Sequence, residues 1–326
     1  MTDKLDLVAI GNAIVDVLAQ VDNDFLAAQN VEKGIMTLVD QARATDLYGA
    51  MPTSREVSGG SAANTAAGAA ALGARAAFIG KVRDDELGQI FAHDIRAIGV
   101  QYSGPTALDG ADTSRCLVLV SPDGERSMST YLGASVDLVA DDIDIDLLER
   151  AKWLYLEGYL FDTPEAKAAY SRAIWAIKKG GGKASITLSD PFCVDRHRAD
   201  FRTLIKSEID LLFANKAELF SLCETDDLDA ALNTIQGEVE AAVITLSEKG
   251  AVVVRGDSRT WVKAEKVSVV DTTGAGDLFA AGFLAGLAKG ADDETCATMG
   301  CAAAGAIIGQ IGARPEMDLN TVMPRT

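Results

Sequence analysis

The sequence predicts an α/β protein built on a mainly parallel central sheet with helices on both faces, and three observations predict it. Short apolar runs alternate with amphipathic stretches along most of the chain. Thirty glycines stand against seven prolines, a balance suited to many tight strand–helix junctions. Two segments, 14–40 and 100–132, interrupt the alternation with strand-like patterning and few helical signals. They are expected to form a small β-sheet lid on a single domain spanning 1–326.

Residues 5–10 read as a strand closing at Gly11. Residues 61–72, almost all small, read as a helix, followed by a strand at 76–79 and a helix at 85–98. Within the second β-rich segment, Ser121-Pro122-Asp123-Gly124 is a turn signal between the runs 116–120 and 126–132. Then come a strand at 153–156, a helix at 164–179, and strands at 184–188, 209–214 and 242–246. A hairpin through 252–262 and a β-type run at 267–270 precede two helices, at about 276–289 and 293–310.

Composition narrows the function. A 48% hydrophobic and 24% charged chain of this length can bury a large core. A formal net charge of −18 repels phosphate backbones and argues against a nucleic-acid partner. Any bound polyanion would need a local pocket of helix N-termini, a metal and a few basic side chains. Five scattered cysteines with no C-x-x-C pair fit reduced thiols. The start, Met1-Thr2-Asp3-Lys4, lacks the pattern of a signal peptide, and no stretch reaches the roughly 18 apolar residues of a membrane span. The expectation is a cytoplasmic monomer or homodimer.

The segment Asp271-Thr272-Thr273-Gly274-Ala275-Gly276-Asp277 carries the chemistry. It lies between the β-type run and an amphipathic helix, and its glycines permit close backbone approach. A loop feeding a helix N-terminus in this way presents N–H groups and a positive dipole end to an anion. Asp277, in the first helical turn, is paradoxical beside an anion site unless it works. Accepting the proton of an attacking hydroxyl is such a task. There is no G-x-x-x-x-G-K-[ST]: Gly180-Gly181-Gly182-Lys183 has Ile177 at the first glycine position and reads as a helix stop.

This segment, continued by Leu278-Phe279-Ala280-Ala281-Gly282-Phe283, resembles the C-terminal signature of the ribokinase-like, or PfkB, carbohydrate and nucleoside kinases. The resemblance runs from Gly11 to Pro315 and implies a three-layer ribokinase-like fold with a β-sheet lid. It implies ATP as donor, Gly274, Ala275 and Gly276 as the anion hole, and Asp277 as catalytic base. Gly59-Gly60-Ser61-Ala62-Ala63-Asn64 is similar to the family's N-terminal Gly-Gly signature, which points to Gly59, Gly60 and Asn64 as acceptor contacts. Gly11-Asn12-Ala13-Ile14-Val15-Asp16 is similar to a strand end whose Asp binds sugar hydroxyls, which points to Asn12 and Asp16.

Asn215-Lys216-Ala217-Glu218 resembles the family's N-x-x-E motif, in which Asn215 and Glu218 would help place Mg²⁺ through water. The same four residues also suit a helix-capping box. Thr245 and Gly250 would border the nucleotide, and Cys301 and Gly305, on the last helix, would flank the adenine. Monovalent-ion-activated members suggest K⁺ near Asp271 and Thr273. Arg126, just after the Asp-Gly turn, would swing from the lid toward the transferring phosphate. Gly124-Glu125-Arg126-Ser127-Met128 and Glu157-Gly158-Tyr159-Leu160-Phe161 resemble bacterial adenosine kinase-like members. They suggest a base-binding wall of Met128, Tyr159, Leu160 and Phe161. Adenosine is therefore the expected acceptor. The alternatives are a sugar kinase of the ribokinase or fructokinase type, or a sensor that binds without turnover.

Overall fold

The computed structural model describes residues 4–323, so residues 1–3, which open the signal-peptide reading, lie outside the described residues. The chain begins with β1 (Leu5–Ile10), β2 (Ile14–Gln20), α1 (Asn23–Ala28), β3 (Met36–Leu38), α2 (Gln41–Ala50), β4 (Arg55–Gly59) and α3 (Ser61–Ala71). It continues with β5 (Ala76–Ile79), β6 (Val82–Arg83), α4 (Glu86–Ala97), β7 (Gln101–Tyr102), β8 (Thr106–Ala107), β9 (Ser114–Val120) and β10 (Arg126–Tyr131). The middle supplies α5 (Ile145–Glu149), β11 (Ala151–Glu157), α6 (Pro164–Lys179), β12 (Lys183–Thr187), α7 (Pro191–Glu208), β13 (Leu211–Asn215), α8 (Lys216–Cys223) and α9 (Leu228–Gln236). Last come β14 (Ala241–Thr245), β15 (Ala251–Arg255), β16 (Ser258–Val262), α10 (Ala275–Ala288) and α11 (Asp293–Ile308).

A nine-stranded sheet runs in the order β16-β15-β14-β13-β12-β11-β1-β5-β7. From β14 to β7 neighbouring strands are parallel, and the β15–β16 hairpin closes one edge antiparallel. Strands buried on both faces need apolar residues at successive positions. β1 meets this: Leu7 and Ala9 enter the core with α3, α4, α10 and α11, while Val8 and Ile10 enter the core with α5 to α9. The three-layer expectation is therefore borne out. Local signals explain the best-placed element, α6, which has Thr163 as N-cap and Pro164 in its first turn. It stops at the glycine run, where Gly181 has φ +79° and the Gly182 N–H returns to the Ile177 carbonyl at 2.9 Å.

A separate five-stranded sheet has the order β3-β10-β9-β2-β4. Its β9–β10 hairpin turns at Gly124, as the sequence predicts. The two β-rich segments divide differently from the expected 14–40 and 100–132. β7 pairs with β5 in the large sheet and β8 with β6, so the second segment enters the small sheet only at Ser114. β4, unread in the sequence, forms one edge, and 14–40 includes the short helix α1. One face of this sheet (Val15, Val17, Leu117, Leu119) joins the apolar core of α4 and the large sheet, with Leu26 and Leu47 from α1 and α2.

The run 267–270 is not a strand. Its ordered backbone contact is to α11, where the Val270 N–H donates to the Ile308 carbonyl at 2.8 Å. Valines there are exposed toward a cleft instead of paired in a sheet. Among the described residues, no helix is long and apolar enough to cross a membrane.

Candidate active site

The C-terminal ends of β12, β13 and β14 and the turn after β11 open onto one cleft, the usual ligand side of a parallel sheet. Two helix N-termini, of α3 and α10, point into it. α10 begins at Gly274, whose φ of +76° is a left-handed conformation suited to glycine. A Cβ there would lie 2.7 Å from the Ala313 Cβ, whereas around Gly276 nothing lies within 4 Å. The loop thus brings backbone close to the cavity, but the Ala275 N–H, expected in the anion hole, donates to the Thr272 carbonyl at 3.2 Å.

Asp277 sits between the two helix starts. Ser61 Oγ donates to its Oδ1 at 2.6 Å and Asn64 Nδ2 to its Oδ2 at 2.9 Å. Burial raises its pKa, and the Ser61 and Asn64 donors and the nearby Arg314 guanidinium pull the other way. The result is an oriented carboxylate between the N-termini of α3 and α10. Asp16 is close by on β2: burial raises it to about 6 against the attraction of Arg126 and Arg314. Gly59 and Gly60 are sterically required. A Cβ on Gly59 would reach Asp16 Oδ2 at 2.4 Å, and Gly60 has φ +96° with the Asn12 carbonyl 2.2 Å from its would-be Cβ.

A cavity of about 360 Å³ is lined by Ser61, Tyr159, Asn215, Glu218, Thr245 and the loop 272–277. A second, of about 620 Å³, is lined by Thr245, Gly250, Val267, Val269, Cys301, Gly305 and Ile308. They meet at Asn215, Thr245, Thr272, Ala275, Gly276 and Phe279. Thr245, Gly250, Cys301 and Gly305, expected around the nucleotide, and Asn215, expected at its magnesium and at the nucleotide itself, all line the second cavity. Val267 and Val269, from the run that pairs in no sheet, form part of its apolar wall.

Asn215 and Glu218 form the full capping box of α8. The Asn215 N–H donates to Glu218 Oε2 at 2.9 Å, and the Glu218 N–H to Asn215 Oδ1 at 2.9 Å. Glu218 is 5% exposed yet opens on the smaller cavity, and burial, with the nearby Asp190, lifts its pKa to about 7. A buried carboxylate with no basic partner among the described residues suits a hydrated divalent cation. Asp271, expected beside K⁺, is bonded on both oxygens to protein donors. Its Oδ1 accepts from the Thr273 N–H and hydroxyl, and its Oδ2 from the Gly312 N–H and Arg126. Burial alone would raise Asp271, but those donors outweigh it and the carboxyl lies below its ordinary range. Arg126 does project from β10, but onto Asp271 and the Thr273 hydroxyl.

Three expected acceptor contacts lie elsewhere. Asn12 is 2% exposed and bound at both ends of its amide, to Glu157 at 2.6 Å and from Ser135 Oγ at 2.8 Å. It braces the site from behind. Leu160 and Phe161 are buried in the core on the far side of the sheet, where Phe161 stacks on Phe201 at 4.3 Å. The cause is the tight 3₁₀ turn Gly158–Asp162, which sends successive side chains about 120° apart, so only Tyr159 reaches the cleft. Met128 lies on β10 two residues from Arg126, on the face of the small sheet that also bears Asp16.

Sequence reasoning missed Ser61, Glu157 and Arg314 as working residues. Glu157, 1% exposed at the end of β11, accepts from the N–H groups of Asn12 and Ala62, and burial raises it to about 7. Ser61 and Glu157 stood inside quoted motifs; Arg314 had no local signal.

The profile of the pfkB family of carbohydrate kinases matches residues 6–319. A solved adenosine kinase from Sinorhizobium meliloti is 50% identical, with a TM-score of 0.89 and 98% of each chain covered. The Saccharomyces cerevisiae adenosine kinase is 32% identical over 331 residues, 94% of this chain and 95% of its own. Fructokinase-1 of Zea mays is 30% identical over 245 residues, 73% of this chain and 76% of its own.

Proposed function

The chain belongs to the pfkB family of carbohydrate kinases, phosphotransferases with an alcohol group as acceptor, and from that premise we propose that it converts adenosine to AMP at the 5′-hydroxyl with ATP as donor. One observation carries the chemistry: Asp277, held by Ser61 and Asn64, stands where the anion loop meets the cleft. The acceptor hydroxyl gives its proton to Asp277 as its oxygen bonds to the γ-phosphorus, and the bond from that phosphorus to the bridging oxygen of ADP breaks. N–H groups of Gly274 and Gly276 take up the charge on the transferred group, and that of Ala275 joins them on leaving the Thr272 carbonyl. Magnesium, held through water near Asn215 and Glu218, would supply further neutralising charge. Asp16 and Asn64 are assigned to the acceptor's hydroxyls.

Adenosine is favoured by the likeness to the Sinorhizobium adenosine kinase, with Tyr159 on the smaller cavity as a flat surface for a purine and Met128 offered from the small-sheet face that bears Asp16. A sugar acceptor is the second reading, favoured by the loss of Leu160 and Phe161 from the wall and by the fructokinase relatives. ADP release over adenosine, inosine, ribose and fructose tests both. The highest kcat/KM is expected with adenosine. A win for fructose or ribose would reject the acceptor, and no turnover with any of the four would reject the kinase reading. In Asp277→Asn, turnover is expected to fall roughly 10²-fold to 10⁴-fold with the fold retained, as read by circular dichroism.

A further inference from the structure

Residues 312–314, beyond the end of α11, each touch a different part of the transfer site. The Gly312 N–H donates to Asp271 Oδ2 at 2.8 Å. Ala313, 6% exposed, packs against Gly274. The Arg314 guanidinium donates from Nε to the Ser58 carbonyl at 2.9 Å and from Nη2 to Ser58 Oγ at 3.1 Å. Its Nη1 donates to the Ala63 carbonyl at 2.8 Å. Ser58 leads into Gly59 and Gly60, and Ala63 lies in the first turn of α3. That turn carries Ser61 and Asn64, the two donors to Asp277.

We propose that Arg314 is a positioning residue for phosphoryl transfer: it fastens the first turn of α3 to the loop before α10, so that Asp277 and its two donors keep one geometry. A planar fork with three bonds resists rotation as well as translation, which a lysine ammonium cannot do. The need for such a staple is physical. The base and its donors belong to elements more than 200 residues apart in sequence, with |i−j| of 216 for Ser61 and 213 for Asn64. Without Arg314, their relative position depends on α3–α10 packing and on the direct bonds to Asp277, from Ser61 and Asn64 to its carboxylate and from Thr65 Oγ1 to its carbonyl at 3.2 Å.

The charge of Arg314 acts on the same group. Asp277 is faced by Asp16 from β2, by Tyr155 and Glu157 from β11, by Tyr159 from the turn after it, and by Arg314 from the C-terminal segment. Arg314 opposes the acidic groups among these. Burial brings the Arg314 pKa down to about 10, so it stays a cation throughout the working range. Because the base works as a carboxylate, removing this cation moves the acidic limb of the rate profile to higher pH.

The role rests on reading Asp277 as the base, so the experiment separates the two. Steady-state kinetics across pH are compared for the wild type, Arg314→Gln, Arg314→Lys and Asp277→Asn, with the acceptor that turns over best. Arg314→Gln is expected to lower kcat by about 10-fold to 10²-fold and to move the acidic limb upward. Arg314→Lys is expected to restore the limb while keeping most of the loss in kcat. An Arg314→Gln enzyme with an unmoved limb overturns the role, whether kcat is normal or falls only with the melting temperature. Full recovery of kcat in Arg314→Lys overturns the fork geometry. Wild-type turnover in Asp277→Asn overturns the base reading itself.

Discussion

Glu157 stands where the ends of β1 and β11 meet the start of α3, and its two oxygens serve donors from Asn12 and Ala62. Its folded-state pKa of about 7 lies above the ordinary 4.5, so the folded chain holds this proton more tightly than the unfolded one. Its contribution to stability is therefore greatest below about 4.5, declines as pH rises toward 7, and is flat above. In Glu157→Gln that dependence disappears. The difference in unfolding free energy between variant and wild type should shift in favour of the variant between pH 5 and 7 in urea titrations. A difference constant over that range would contradict the assignment. Residues of this kind were the least legible in the sequence. Asp277 and Gly274 announce themselves by local spacing, but Glu157 and Arg314 acquire meaning only from partners that the fold brings to them.

At the scale of elements, the start of α10 separates two glycines that look equivalent in the motif. Gly274 has a left-handed backbone and touches Ala313, so Gly274→Ala is expected to cost about 1–3 kcal/mol of stability as well as activity. Gly276 lies inside the first helical turn with open space around it. Gly276→Ala should leave thermal stability unchanged or raise it slightly, by up to roughly 1 kcal/mol, while impairing ATP turnover. Melting curves and ATP kinetics on the pair check this. Elements with long periodic patterns and strong caps, such as α6, were legible to the residue. The valines of 267–270 were not, because a period-two apolar run reads the same whether it pairs in a sheet or lines a ligand cavity. The turn after β11 is illegible for a related reason: adjacency in sequence predicts a shared wall, and the 3₁₀ geometry splits it.

For the whole molecule, the parallel sheet and its two helical faces were legible from alternation, whereas the membership of the small sheet was not. β4 is a short edge strand with polar and exposed positions, and its place depends on pairing with β2. This sheet meets the anion loop through Arg126, Asp271 and Thr273. Arg126→Ala is expected to lower kcat and to speed amide exchange in β9, β10 and 271–276 together; faster exchange in β10 alone would show that no tie exists. Glu218, which lines the smaller cavity at the expected magnesium position, has its pKa lifted to about 7 by burial, so near neutrality part of the resting protein carries a proton there that a bound cation would expel. Nucleotide binding in the presence of magnesium should then tighten as pH rises toward 7. The heat of binding in a calorimeter should vary with the ionisation enthalpy of the buffer, and the slope counts the protons released. The cleft is in this sense a proton reservoir, and substrate occupancy and solvent acidity are coupled variables of one equilibrium.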